Sequence, residues 1–183
     1  MRLLDAVNLI LPVLGEHPVT SINVKHPTLA VILPKLELER TEVLNLGLWF
    51  NQYSITLYPD SEGGIAMPVG TLAFLPDSVN AVVRGPRLMR TDDHSYVWGS
   101  PVTGNITVDV PFEELPESVA GAVMYGALVD AYVTDIGMEQ NVQMWQGEAR
   151  EATLRMNTEH LRNMRYSTRQ SKQYKHIRNA MRA

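Results

Sequence analysis

The chain has 183 residues, 45% of them apolar, and no cysteine; it is long and apolar enough for one domain, or one core with a sizeable insertion, and disulfides, thiolate metal ligands and a cysteine nucleophile are excluded. No apolar run approaches the ~20 residues of a membrane span, and the N-terminus lacks the order of a signal peptide, so no membrane partner is expected. The net charge of −4 is uneven: seven of the sixteen Lys and Arg lie from Arg162 onwards with no acid among them, which leaves a body of about −11 and a C-terminal stretch of +7.

In chain order, residues 3–15 read as a first helix, with Leu4, Val7, Leu11 and Leu14 on one face and Gly15 as its stop. Pro12 inside it predicts a kink or an early end. Thr28 is a candidate N-cap for a second helix, whose stripe is Leu29, Ile32, Leu33 and Leu36, continued by Leu44, Gly47 and Leu48. Glu37, Glu39, Arg40 and Glu42 read as solvated, Pro34 as an interior irregularity, and residues 48–51 as the helix end. Trp49 and Phe50 are large apolar groups placed there to plug one end of the core.

From Gln52 to Val110 the period changes from helical to alternating. Strands are expected around residues 53–57, 65–67, 71–75, 81–84, 88–90, 95–98 and 106–110, divided by Gly and Pro turns. Phe112-Glu113-Glu114-Leu115-Pro116 then opens two long helices. In the first, Leu115, Val119, Ala122, Gly126, Val129, Val133 and Ile136 recur at steps of three and four. In the second, Met138, Val142, Trp145, Ala149, Ala152 and Met156 do the same. Gly137 between them suits a C-cap, so the pair should fold back as a hairpin.

The expected fold class is therefore α+β: an antiparallel helical bundle of about four helices, an inserted small antiparallel β module, and an extended basic tail. The division is 1–51 for the N-terminal helices, 52–111 for the β module, 112–166 for the helical hairpin and 167–183 for the arm. Trp49, Phe50, Phe112, Leu115, Pro116 and Trp145 are assigned to the core or its junctions. In the arm, Tyr174, Ile177 and Met181 share helical spacing among basic neighbours, which suits a segment that becomes ordered against a partner.

Residues for chemistry are sparse. None of the five histidines pairs with another at a helical metal-ligand spacing. Asp92-Asp93-His94 offers ligand types, but a polar turn between strands is the simpler reading. Asp130 and Asp135 lie on or near an apolar helix without a derivable cleft, and Gly63-Gly64 is too short to cradle a phosphate. No serine has the setting of a nucleophile elbow. No cofactor and no metal are expected. Two alternatives stay open: binding of nucleic acid through the basic tail, and a hydrolase built on Asp92, Asp93 and His94.

Several phrases together resemble a known family. Leu4-Asp5-Ala6-Val7-Asn8 through Gly15-Glu16-His17-Pro18-Val19 is similar to its first helix, and Gly47-Leu48-Trp49-Phe50-Asn51 to the end of its second. Ile55-Thr56-Leu57-Tyr58-Pro59, Gly64-Ile65 and Pro68 resemble its first hairpin. Residues 72–76, 79–85, Arg87-Leu88 and Tyr96 resemble its sheet, and residues 112–116 the start of its last helices. The family is tail tubular protein A, the head-to-tail adaptor of short-tailed bacteriophages. The chain departs from it at Met89-Arg90, where relatives often carry Tyr and Asp, and in its basic tail.

The resemblance implies a non-enzymatic virion protein made in the bacterial host cytoplasm. It implies a ring of copies of itself, twelve in relatives, at the portal vertex between the portal protein and a nozzle protein like tail tubular protein B. Genomic DNA would pass through the lumen without sequence-specific binding. On this reading the portal interface is the basic C-terminal stretch: Arg162, Arg165, Arg169, Lys172, Tyr174, Lys175, Ile177, Arg178, Met181 and Arg182.

Overall fold

Pro12 decides how the N-terminal helix ends. Lacking an N–H, it cannot continue the α-helical ladder, and α1 (Leu3–Ile10) gives way to a 3-10 turn over Leu11–Leu14 that stops at Gly15, φ 80°. This computed structural model describes residues 1–138 and 140–164. Among these residues the fold is α+β, with four α-helices and two small antiparallel sheets.

The second helix, α2 (Leu29–Asn45), buries Leu29, Ile32, Leu36, Arg40 and Leu44. It ends earlier than residues 48–51, because Gly47 turns the chain with φ 67° and a glycine carries that conformation without a Cβ penalty. Thr28 stands at its N-cap without capping it. Its hydroxyl instead donates to Glu16.

The last two helices, α3 (Glu117–Asp135) and α4 (Asn141–Asn163), are joined through Gly137, φ 106°, whose N–H donates to the Tyr132 carbonyl. They run antiparallel, since the Ser118 hydroxyl, in the first turn of α3, donates to Glu159 near the end of α4. The α2 and α3 helices are also antiparallel: Lys35 pairs with Asp130, and Glu39, one turn on, lies against Gly126, one turn back. Helix α3 is thus covered on two sides.

That double cover displaces the expected stripe. Val119 and Ala122 are buried as expected, but Gly126, Val129 and Val133 are half-buried and Ile136 is exposed. The buried set is Val119, Ala120, Ala122, Val123, Met124, Ala127, Leu128, Ala131 and Tyr132, a wider band than one neighbour would cover. On α4 the expected face holds from Val142 through Met156, whereas Met138 precedes the helix and is 78% exposed.

The strands are β1 (Gln52–Leu57), β2 (Thr71–Pro76), β3 (Ala81–Arg84), β4 (Arg87–Arg90) and β5 (Val102–Val108). One sheet has the order β1-β5-β2, and β3 with β4 makes the other, all pairings antiparallel. Two expected strands, 65–67 and 95–98, shrink to the single bridges Ala66 to Arg87 and Gly64 to Val97, because turns at Gly63-Gly64 and Asp93–Ser95 interrupt them. The last strand begins at Val102, not 106. It carries Gly104 inside it, where a Cβ would meet the Phe74 ring at 2.7 Å and the Pro76 backbone at 2.8 Å.

Two buried apolar clusters result. The larger joins α1, α2, α3 and α4; the smaller holds Leu57, Ile65, Phe74, Leu88, Trp98, Val102 and Ile106. The Trp98 indole N–H donates to the Leu88 carbonyl at 3.0 Å, which satisfies its one polar atom inside the smaller core.

Candidate functional site at the junction of helices and sheets

The described chain passes from the helical core into the sheets at Asn51 and back at residues 108–111. The two crossings lie side by side, because β1 and β5 pair with Gln52 opposite Thr107 and the Val108 N–H donates to the Asn51 carbonyl at 2.9 Å. Two polar side chains fasten them. Asn51 is fully buried: its Oδ1 accepts the Leu48 N–H at 2.7 Å, and its Nδ2 donates to the carbonyls of Leu44 and Val108 at 2.9 and 3.0 Å. One amide therefore ties the end of α2, the turn after it and the end of β5.

Arg40 holds the return crossing. It is 7% exposed. Its guanidinium donates to both oxygens of Glu37, at 3.0 and 2.6 Å, to Asp109 at 2.5 Å and to the Val110 carbonyl at 2.5 Å. Hydrogen bonding to Glu37 raises its pKa, burial opposes that, and Asp109 adds to the rise; the side chain is a permanent cation with every bonding direction engaged. Sequence reading placed Arg40 among solvated positions, and that is corrected here. The signal was its spacing: Ile32, Leu36, Arg40 and Leu44 stand four apart, so Arg40 occupies the buried stripe.

The large apolar residues assigned to the core and its junctions are all at least partly buried. Trp49 and Phe50 are half-buried and meet edge to face, with ring centroids 5.2 Å apart, and Trp49 lies 6.1 Å from the His160 ring near the end of α4. Phe112 and Leu115 are buried in the helical core. Pro116 precedes α3, and its carbonyl accepts the N–H groups of Val119 and Ala120. Trp145 is half-buried against the same core.

The other candidate residues are not brought together. Asp92, Asp93 and His94 are exposed in a turn: Asp93 accepts the Ser95 N–H and pairs with Arg90, and His94 has φ 55°. Among the described residues, no three His, Asp or Glu are arranged to hold a metal ion. Asp130 pairs with Lys35 at 3.4 Å, while Asp135 is exposed at the end of α3. Glu39 is half-buried beside Gly126; burial raises its pKa, and Asp130 and Glu42 add to the rise against Lys35. Of the residues assigned to the portal interface, Arg162 is exposed on α4. Arg165, Arg169, Lys172, Tyr174, Lys175, Ile177, Arg178, Met181 and Arg182 lie outside the described residues.

The arrangement is a joint between two buried cores. Comparison with known sequences says what such a joint belongs to: residues 4–166 match the family described as tail tubular protein. The chain belongs to the tail tubular protein family. A relative, Tail tubular protein A of Klebsiella phage KP34, is 33% identical over 182 residues, covering 98% of either chain. As a tail tubular protein, the chain is a structural component of a phage tail. The family match encloses both crossings, both cores and the clamps at Arg40 and Asn51. The arm from 167 onwards lies beyond it.

Proposed function

We propose that this tail tubular protein is the head-to-tail adaptor of a short-tailed phage. Twelve copies form a ring between the portal protein and a nozzle protein like tail tubular protein B, and genomic DNA passes through the lumen. The observation that carries the reading is the double clamp. A β module with its own buried cluster is joined to a helical core, and Asn51 and Arg40 fasten the two crossings between them. Such a chain offers two separately built surfaces to two different partners, while the helical core serves repeated contacts between copies.

On this reading residues 1–51 and 112–166 make the helical part, 52–111 the module toward the nozzle and 167–183 the arm toward the portal. The acidic body suits a conduit, since like charge keeps phosphates from sticking to the wall. The protein acts without catalysis. The turn hydrogen bond of Asp93 and the exposure of Asp92 and His94 support that reading of the Asp92-Asp93-His94 motif.

The test is to mix the purified chain with portal protein and measure the mass of the complex. The adaptor role predicts a stable assembly carrying twelve copies per portal ring, lost when residues 167–183 are deleted from an otherwise folded chain. Unchanged portal binding by the truncated chain discards the arm's role. Tight binding to free duplex DNA with a steep salt dependence, and none to portal, favours the nucleic-acid alternative.

A further inference from the structure

A cleft of about 490 Å³ opens on the helical body beside the Arg40 clamp. Its apolar wall includes Leu3, Ile22, Leu33 and Phe112, and its rim carries Asp109 and Glu113. Arg40 answers one charge among Glu37, Asp109 and Glu113, so the rim is left about two charges negative. An apolar trough with an acidic rim fits an amphipathic segment whose apolar residues are flanked by Lys and Arg.

The chain carries such a segment. Tyr174, Ile177 and Met181 stand at steps of three and four, with Lys172, Lys175, Arg178 and Arg182 between and around them and no acid from 162 to the end. It starts close by. The Ser118 hydroxyl ties the start of α3 to Glu159 near the end of α4, and the Met1 amino group ties the start of the chain to Glu117. The cleft lies just beyond, at Leu3 and Glu113. From Asn163 to Tyr174 the connection reaches about 16 Å as helix and more than twice that when extended.

We infer that, in the free protein, residues 172–182 dock into this cleft of their own chain, seating Tyr174, Ile177 and Met181 against the apolar wall and the cations on the rim. The inference concerns the protein without its partners. It stands apart from the adaptor reading, since it fails or holds with no portal present. If both hold, portal and cleft compete for one segment.

The absence of cysteine makes the test direct. In full-length protein, the pair Ile22→Cys and Ile177→Cys should form an intramolecular disulfide at least tenfold faster than the pair Ala73→Cys and Ile177→Cys, whose first member is exposed on β2. Adding Glu113→Lys should slow the first reaction severalfold. In the cysteine-free chain, Glu113→Lys alone should speed tryptic loss of the tail by a similar factor at unchanged circular dichroism. Equal rates for the two cysteine pairs, disulfides only between molecules, or tail cleavage unaffected by Glu113→Lys would each overturn the inference.

Discussion

The Arg40 guanidinium donates to the Asp109 carboxylate at 2.5 Å across 69 residues of sequence. Everything between those two residues, apart from the end of α2 and its turn, is the β module. The contact therefore closes a long excursion back onto the helix it left, and the neighbouring bond to the Val110 carbonyl fixes the path into Phe112 and α3.

Replacing Arg40 should weaken the protein as a whole. Arg40→Ala leaves a carbonyl and two carboxylates without their donor, at a cost of about 1–3 kcal/mol, kept at the low side because Glu37 and Asp109 still see solvent. Arg40→Lys should recover less than half of that loss, since an ammonium cannot make the two forked contacts at once. Urea unfolding midpoints check both, and a lysine variant as stable as the parent would contradict this account of the clamp.

Asn51 is the second fastener. Asn51→Leu keeps about the same volume but strips partners from the Leu48 N–H and the Leu44 and Val108 carbonyls. A loss of about 2–4 kcal/mol is expected for groups left unsatisfied in a buried site. Hydrogen exchange should show the amides of Leu48 and Val108 losing protection before those of α3.

Two glycines separate flexible from rigid neighbours. At Gly126 a Cβ would fall 2.5 Å from the Glu39 carboxylate, the far end of a mobile side chain. Gly126→Ala should thus displace Glu39 toward water and gain about 0.5–1 kcal/mol from helix propensity. At Gly104 the obstacles are the Phe74 ring and the backbone of β2, which cannot step aside. Gly104→Ala should lose about 1–3 kcal/mol by overpacking. Thermal melts of the two variants should move in opposite directions.

Glu39 also predicts a pH effect. Its folded-state pKa is raised by burial, so the folded protein binds the proton more readily than the unfolded chain. The stability attached to this group is then highest below the ordinary carboxylate range and falls as pH rises through the raised value. Glu39→Gln should stabilise the protein at neutral pH, and the gain should vanish as pH drops through that range. A gain that grows on acidification would reverse the sign and refute the cause.

Much of this architecture was legible in the chain. Pro12 and Gly15 mark the change and end of the first helix, Gly137 the turn between α3 and α4, and the 142–156 spacing the buried face of α4. The alternating region yields antiparallel sheets, although β5 starts four residues before the expected 106, with Gly104 inside it. Gly104 is there for close approach to β2, which only the pairing reveals. The stripe on α3 was misplaced because a single-face pattern cannot anticipate a helix covered by both α2 and α4. The junction was least visible. Arg40 and Asn51 are polar, and polarity reads as exposure until the partner carbonyls, 57 to 70 residues away, are in place.

The most direct test of the central claim is electron microscopy of the purified chain with and without portal protein. The adaptor account predicts rings with an open central channel, seated coaxially on the portal, with the β modules projecting from the side away from it. Compact single particles that never join the portal would contradict it.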